Sequence, residues 1–237
     1  AQEIEFANSN NVWWLGSETG SVSVFQSNED STSQLETIRF GMSPSFRGIM
    51  ATSPSAHWVG IAREYAVVEL ISSKRVAAYQ RAATQELGTW ISLSPDGNLL
   101  AVAYEGAPYF DLWDAHTLSK ISRLGGHNKA ISALAFTDGG ERLISLDIDG
   151  DVVLWDVARR SVKASLATHV STPISLALIP NDDRFLIGGV NGEIRICKFG
   201  TTESETLSTI HGAVPISGLA VAPSADLAVS AGWDRRL

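Results

Sequence analysis

Between Gly126 and Leu166 apolar and polar positions alternate in four short runs, Ile131–Phe136, Arg142–Ile148, Asp151–Val157 and Ser161–Ala167. Alternation over runs of this length is the signature of a half-buried strand, because successive side chains leave opposite faces of a sheet. The runs are separated by Thr137-Asp138-Gly139-Gly140, Asp149-Gly150 and Ala158-Arg159-Arg160. Asp-Gly between β-rich runs predicts a tight hairpin of type I′, whose two central residues both need positive φ. The segment therefore reads as four antiparallel strands joined by short turns.

This unit recurs. Trp113, Trp155 and Cys197 stand 42 residues apart, and so do His127, His169 and His211. Thr172-Pro173-Ile174-Ser175 returns as Val214-Pro215-Ile216-Ser217, and Asp149-Gly150 as Asn191-Gly192. A fixed period of this size marks stacked or radially repeated units, none of which buries its apolar face alone.

The same template predicts strands near 90–94, 98–104, 109–115 and 119–124, and, earlier, near 46–51, 57–63, 65–71 and 75–79. In the first unit Phe25 takes the tryptophan position, and the polar tract from Gln26 to Gln34 reads as a long surface loop. The expected units cover about 1–40, 46–80, 89–124, 126–167, 172–210 and 214–237, all in one domain. The last holds two strands, Ile216–Ala222 and Leu227–Ala231, with a third starting at Asp234. A continuation past Leu237, or a strand supplied from elsewhere, is the expectation.

Gly126-His127 followed by Trp155-Asp156, with Leu112-Trp113-Asp114 repeating the second half, resembles the WD40-repeat family of β-propellers. The resemblance implies an all-β WD40-type propeller of five four-stranded blades plus an incomplete sixth, its closed form having six or seven. It also implies a buried His, Asp, Ser/Thr and Trp tetrad in the fullest blade. On that pattern His127, Asp149 and Trp155 take three places, with Asp147 where the hydroxyl residue would be. The fifth unit keeps His169 but has Asn191 and Cys197 for Asp and Trp; the sixth has His211 and Asp234.

Composition narrows the partners. There are 18 Lys and Arg against 26 Asp and Glu, a net charge of −8, with no basic run, so a nucleic-acid ligand is not expected. Charge-poor stretches are broken by His, Ser, Thr, Gly and Pro, so membrane insertion is not expected either. The single cysteine, Cys197, excludes an intrachain disulfide and a cysteine-based zinc cluster. That favours a reducing cytoplasmic setting. The opening Ala1-Gln2-Glu3 leaves a processed or periplasmic chain as the alternative.

Candidate chemistry is weighed against packing. His127 with Asp149 looks like a base held by a carboxylate, but no G-x-S-x-G elbow accompanies it, and the blade pattern buries the pair against Trp155. The three spaced histidines carry no metal-binding motif. A calcium loop starting at Asp147 would need Gly and Glu where Val152 and Ala158 stand. The Trp13-Trp14 pair fits inter-blade packing. No catalytic residue, metal or cofactor is expected.

The resemblance thus implies a non-catalytic scaffold for protein partners. The alternative is a propeller module of a larger enzymatic or redox protein whose active segment lies outside this chain. On the face carrying the loops between second and third strands, Arg63, Tyr65, Tyr104 and Tyr109 form the expected partner patch, Tyr and Arg being favoured at interface hot spots.

Overall fold

The computed structural model describes the strands within residues 3–83 as backbone, and residues 88–234 apart from 138, 202, 203, 209, 210 and 223; side chains are described from Trp90 onward, except those of the residues just named and of Ser208. Among the described residues every regular element is a β-strand.

The first sheet runs β1 (Glu3–Ala7), β2 (Val12–Gly16), β3 (Ser21–Asn28) and β4 (Ser31–Arg39), in chain order. Here the structure corrects the sequence reading. The polar tract is not a surface loop: Gln26 pairs with Ser33, Ser27 with Thr32 and Asn28 with Ser31. A strand can be polar throughout when cross-strand Ser and Thr pairs and backbone hydrogen bonds hold it, so polarity alone does not end one.

The second sheet has β5 (Ile49–Ser53), β6 (Trp58–Arg63), β7 (Val67–Ser72) and β8 (Tyr79–Ala83). Its outer strand begins where the predicted one ended. The third has β9 (Gly88–Leu93), β10 (Leu99–Tyr104), β11 (Tyr109–Asp114) and β12 (Ser119–Gly125). The fourth has β13 (Ile131–Phe136), β14 (Arg142–Asp147), β15 (Asp151–Asp156) and β16 (Ser161–Ala167). The fifth has β17 (Pro173–Leu178), β18 (Arg184–Gly189), β19 (Ile194–Lys198) and β20 (Ser204–Ser208), and a two-stranded sixth has β21 (Ile216–Val221) and β22 (Ala228–Gly232).

The chain packs as two compact units, residues 1–105 with 111–122, and residues 106–110 with 123–237. In the first unit β1 lies beside β5, and β5 and β6 beside β9. In the second β13 lies beside β17, and β17 and β18 beside β21. First strands of successive sheets are therefore neighbours within each unit. The fourth and fifth sheets share one core, in which Leu146, Val152, Leu154 and Leu166 meet Val170, Phe185, Ile187 and Cys197. β14 is buried along nearly all its length, while β16 exposes Ser161, Val162, Lys163, Ser165 and Ala167. Burial thus falls from second strand to outermost strand, as the composition of the two runs requires.

The hairpin turns also differ from expectation. Gly150 has φ +89° and donates its N–H to Asp147 O (3.1 Å), but Asp149 is not among the residues with positive φ. This is a type I turn closed by a left-handed glycine, not type I′. A Cβ on Gly150 would lie 2.9 Å from the Val170 carbonyl oxygen, so both conformation and space demand glycine.

Candidate functional site

The side chains singled out in the fourth sheet meet in a buried chain of hydrogen bonds. Strand alternation sends Ser145 and Asp147, two residues apart on β14, to one face. Across the β14–β15 ladder Leu143 pairs with Trp155, which brings the indole over the same face. Trp155 Nε1 donates to Ser145 Oγ at 2.7 Å, and His127 Nε2 lies 2.6 Å from that oxygen. His127 Nδ1 lies 3.0 Å from Asp147 Oδ2. A carboxylate only accepts, so Nδ1 carries a proton aimed at Asp147, while Ser145 Oγ accepts from the indole and faces Nε2. The second Asp147 oxygen accepts the backbone N–H groups of Asp149 and Asp151, both at 3.0 Å.

Two sequence assignments are corrected. The carboxylate on His127 is Asp147, not Asp149, and the hydroxyl place belongs to Ser145, which sequence reasoning missed. Asp149 lies beyond the end of β14, with its side chain 55% exposed and 3.6 Å from Lys129. The signal was present: Ser145 is the strand residue on the same face as Asp147.

Ser145, His127 and Asp147 have the connectivity of a catalytic triad, hydroxyl to Nε2 and Nδ1 to carboxylate. They cannot act as one here. The side chains of His127 and Asp147 have no exposure, Ser145 is fully buried, and its hydroxyl is held by Trp155. A nucleophile needs an approach path for the electrophile, and this one has none.

The sixth sheet repeats the motif in another register. His211 Nε2 lies 2.8 Å from Ser230 Oγ, and Nδ1 lies 3.0 Å from Asp234 Oδ1. Ser145-Leu146-Asp147-Ile148-Asp149 aligns with Ser230-Ala231-Gly232-Trp233-Asp234. Where Asp147 stands in the fourth sheet, the sixth has Gly232, and a Cβ there would come 2.5 Å from His211 Nδ1. The vacated space lets the next aspartate reach the ring. Among the described residues of the fifth sheet no such network forms: His169 is exposed with φ +57°, and Val170, Ile187 and Cys197 are part of the apolar core. Phe185 pairs with Cys197 as Leu143 pairs with Trp155. Burial pushes the Cys197 thiol up to about 11, so it stays protonated and unreactive at neutral pH.

The expected partner patch does not hold together. Tyr104 is 2% exposed, and its hydroxyl donates to the buried Asp111 carboxylate at 3.0 Å, which Lys120 also meets at 2.9 Å. It is a core residue, because β10 is buried along its whole length after Leu99. Tyr109 is half-buried beneath the Arg123 guanidinium, 3.9 Å from its ring centroid. Tyr65 lies outside the described residues, and Arg63 is described only as backbone of β6.

A groove of 320 Å³ opens elsewhere, between the fourth and fifth sheets, at the turns joining their first and second strands. Ile144, Leu154, Leu178 and Phe199 line it below, and Glu141, Arg142, Asp182, Asp183 and Arg184 border it. Arg142 Nη1 spans the two sheets to Asp183 Oδ1 at 3.0 Å. Among the described residues no group of three or more His, Cys, Asp or Glu is placed to hold a metal ion, and no helix is long and apolar enough to cross a membrane.

Residues 118–156, from β12 through β15, match the family model of the WD domain, G-beta repeat. The chain carries a WD40 repeat. The matched segment contains His127, Ser145, Asp147 and Trp155, so the hydrogen-bonded network lies wholly inside it. Similar proteins include the Periodic tryptophan protein 2 homolog of Schizosaccharomyces pombe, 25% identical over 128 residues, covering 54% of this chain and 15% of that protein. The Target of rapamycin complex subunit wat1 of the same organism is 28% identical over 142 residues, covering 59% and 44%. The U3 small nucleolar RNA-associated protein 15 homolog of Xenopus laevis is 30% identical over 146 residues, covering 59% and 28%. The chain thus spans less than half the length of each of these relatives.

Proposed function

We propose that this chain is a non-catalytic, WD40-type β-propeller scaffold for protein partners, its six sheets belonging to one propeller whose closed form has six or seven blades. The observation that carries the reading is the sealing of the Ser145, His127 and Asp147 constellation: a triad-like arrangement whose hydroxyl, ring and carboxylate are all buried is spent on fastening a sheet. What remains for function is surface. The names of similar proteins support an assembly role, since one is a complex subunit and another is RNA-associated. With a net charge of −8, attachment to a ribonucleoprotein would run through its proteins rather than through phosphate.

The length of the relatives supports a companion reading, in which this chain is the propeller module of a longer protein. Two measurements test the proposal. In extract of the source cell the native protein should sediment in an assembly larger than itself, and sedimentation as a lone monomer would overturn the scaffold reading. A fluorophosphonate probe should leave Ser145 unlabelled in the folded chain; labelling there would overturn the non-catalytic one.

A further inference from the structure

The groove between the fourth and fifth sheets has the makings of a peptide site. It is built from two repeats: the turn before β14 and β14 itself on one side, the turn between β17 and β18 on the other, with Phe199 from the end of β19. Ile144 and Leu154 are buried, and Leu178 and Phe199 half-buried, so an apolar floor is left partly open to water. The Phe199 ring is held by Phe185, with centroids 4.8 Å apart. A volume of 320 Å³ is at the lower end for a ligand pocket, and suits one or two side chains better than a cofactor.

The border sets the sign of the occupant. Both guanidinium groups are already engaged, Arg142 with Asp183 at 3.0 Å and Arg184 with Asp182 at 2.6 Å. Hydrogen bonds from Arg184 hold the Asp182 carboxyl below the usual carboxylate range, so it is charged at neutral pH. Two cations against three carboxylates leave Glu141 as the surplus, one negative charge beside the floor. Lys198, outside the lining, acts on Asp182 as a further cation, which leaves Glu141 as the border carboxylate for a ligand's positive charge. An anionic ligand would have to displace an existing carboxylate from an arginine, whereas a cation meets the exposed Glu141 at once.

We propose that this groove docks a short basic segment of a partner protein, with one bulky apolar side chain on the Ile144, Leu154, Leu178 and Phe199 floor and a flanking Lys or Arg at Glu141. This rests on the scaffold reading and gives it a location. The occupant is an extended peptide because the groove follows turns rather than a strand edge, so recognition is by side chains. Being exposed, the charged part of the contact weakens as salt rises.

The probe is an array of fluorescein-labelled hexapeptides, each with Leu, Ile, Met, Phe, Tyr or Trp flanked by Lys, alongside counterparts with Glu for Lys and with Ala at the centre. Anisotropy against the full chain should find at least one Lys-flanked peptide binding below about 1 mM. Its Glu-flanked and Ala-centred counterparts should bind at least about tenfold more weakly, a loss of about 1.4 kcal/mol. Glu141→Lys, on an exposed side chain, should weaken binding by a similar factor with an unchanged melting temperature; Phe199→Ala should do so through the floor. No binder in the array overturns the inference, as does equal binding by Glu-flanked peptides or by the Glu141→Lys chain. If the native protein still sediments in an assembly while every peptide fails, the scaffold reading survives and the groove does not.

Discussion

Asp147 and Asp234 hold equivalent histidines from positions two residues apart in the repeat. Each carboxylate lies 3.0 Å from an imidazole Nδ1. Asp147 reaches His127 from the strand itself, whereas Asp234 reaches His211 from beyond it, across the space left by Gly232. One hydrogen-bond requirement therefore has two sequence solutions, and the fourth sheet carries the residue for the second one, unused, as Asp149.

That redundancy is testable. Asp147→Gly recreates the sixth-sheet pattern and frees Asp149 to turn inward. It should cost about 1–3 kcal/mol, since Asp147 also accepts two backbone N–H groups. Asp149→Ala alone, on an exposed side chain, should stay within about 0.5 kcal/mol. In the Asp147→Gly background the same change should cost more than alone, by at least about 0.5 kcal/mol of coupling. Additivity of the two in denaturant unfolding would show that Asp149 does not substitute.

His127 and His169 occupy the same place in the 42-residue period and should behave oppositely. His127→Ala strips a buried carboxylate and a buried hydroxyl of their partner and should cost about 1–3 kcal/mol or more. His169 is exposed with φ +57°, so His169→Gly relieves a left-handed backbone at the expense of chain entropy and should be neutral or stabilising by about 0.5 kcal/mol. Thermal unfolding of the two variants decides the matter.

What the sequence disclosed and what it hid follow from the range of each interaction. Strand pairing and hairpins were legible because the alternation around Ile131–Val157 and the glycine at Gly150 are local. Which aspartate faces His127 was not, because the motif spacing that pointed to Asp149 says nothing of which side chain stands on the inner face of β14. Tyr104 was mistaken for surface because its burial depends on what covers β10 on both faces. The groove was invisible because its two sides, near Arg142 and Arg184, are some 40 residues apart and meet only when the sheets pack.

Cys197 takes the place that Trp155 holds in the fourth sheet, and its thiol is pushed up to about 11. A raised pKa keeps the thiol protonated below that value, so at pH 8 almost no thiolate is present in the folded chain. Reaction with a disulfide reagent at pH 8 should be undetectable until denaturant is added, and then complete with one thiol per chain. Rapid reaction of the native protein would contradict the burial of Cys197.

Glu193 contributes a pH dependence of definite sign. Burial opposes its ionisation, but hydrogen bonds from Arg195, Thr206 and Asn191 outweigh it, and the folded value falls below the ordinary 4.5. Stability from a depressed carboxyl is present above 4.5 and is lost as pH falls through the folded value. The native chain should therefore exceed Glu193→Gln in melting temperature at pH 7, and the two should converge in acid below that range. A gap that persists unchanged at low pH would assign the loss to packing rather than to charge.

The fifth sheet shows that the polar network can be replaced entire, and this sets the last expectation. There Ile187 stands where Ser145 would be and Cys197 where Trp155 would be, both in the shared apolar core with Val170 and Phe185. No polar atom in that set requires a partner beyond the thiol. In the fourth sheet, Ser145→Ala removes one oxygen but leaves the Trp155 indole N–H and His127 Nε2 buried without partners, a cost of about 1–3 kcal/mol. Adding Trp155→Phe removes one of those orphaned groups, while its loss of apolar volume costs about as much as other core truncations, roughly 1–3 kcal/mol. If orphaned polar atoms dominate, the double variant should be less destabilised than the sum of Ser145→Ala and Trp155→Phe measured separately. A sum that is met or exceeded would mean that shape, rather than hydrogen bonding, is what Ser145 and Trp155 contribute to the sheet.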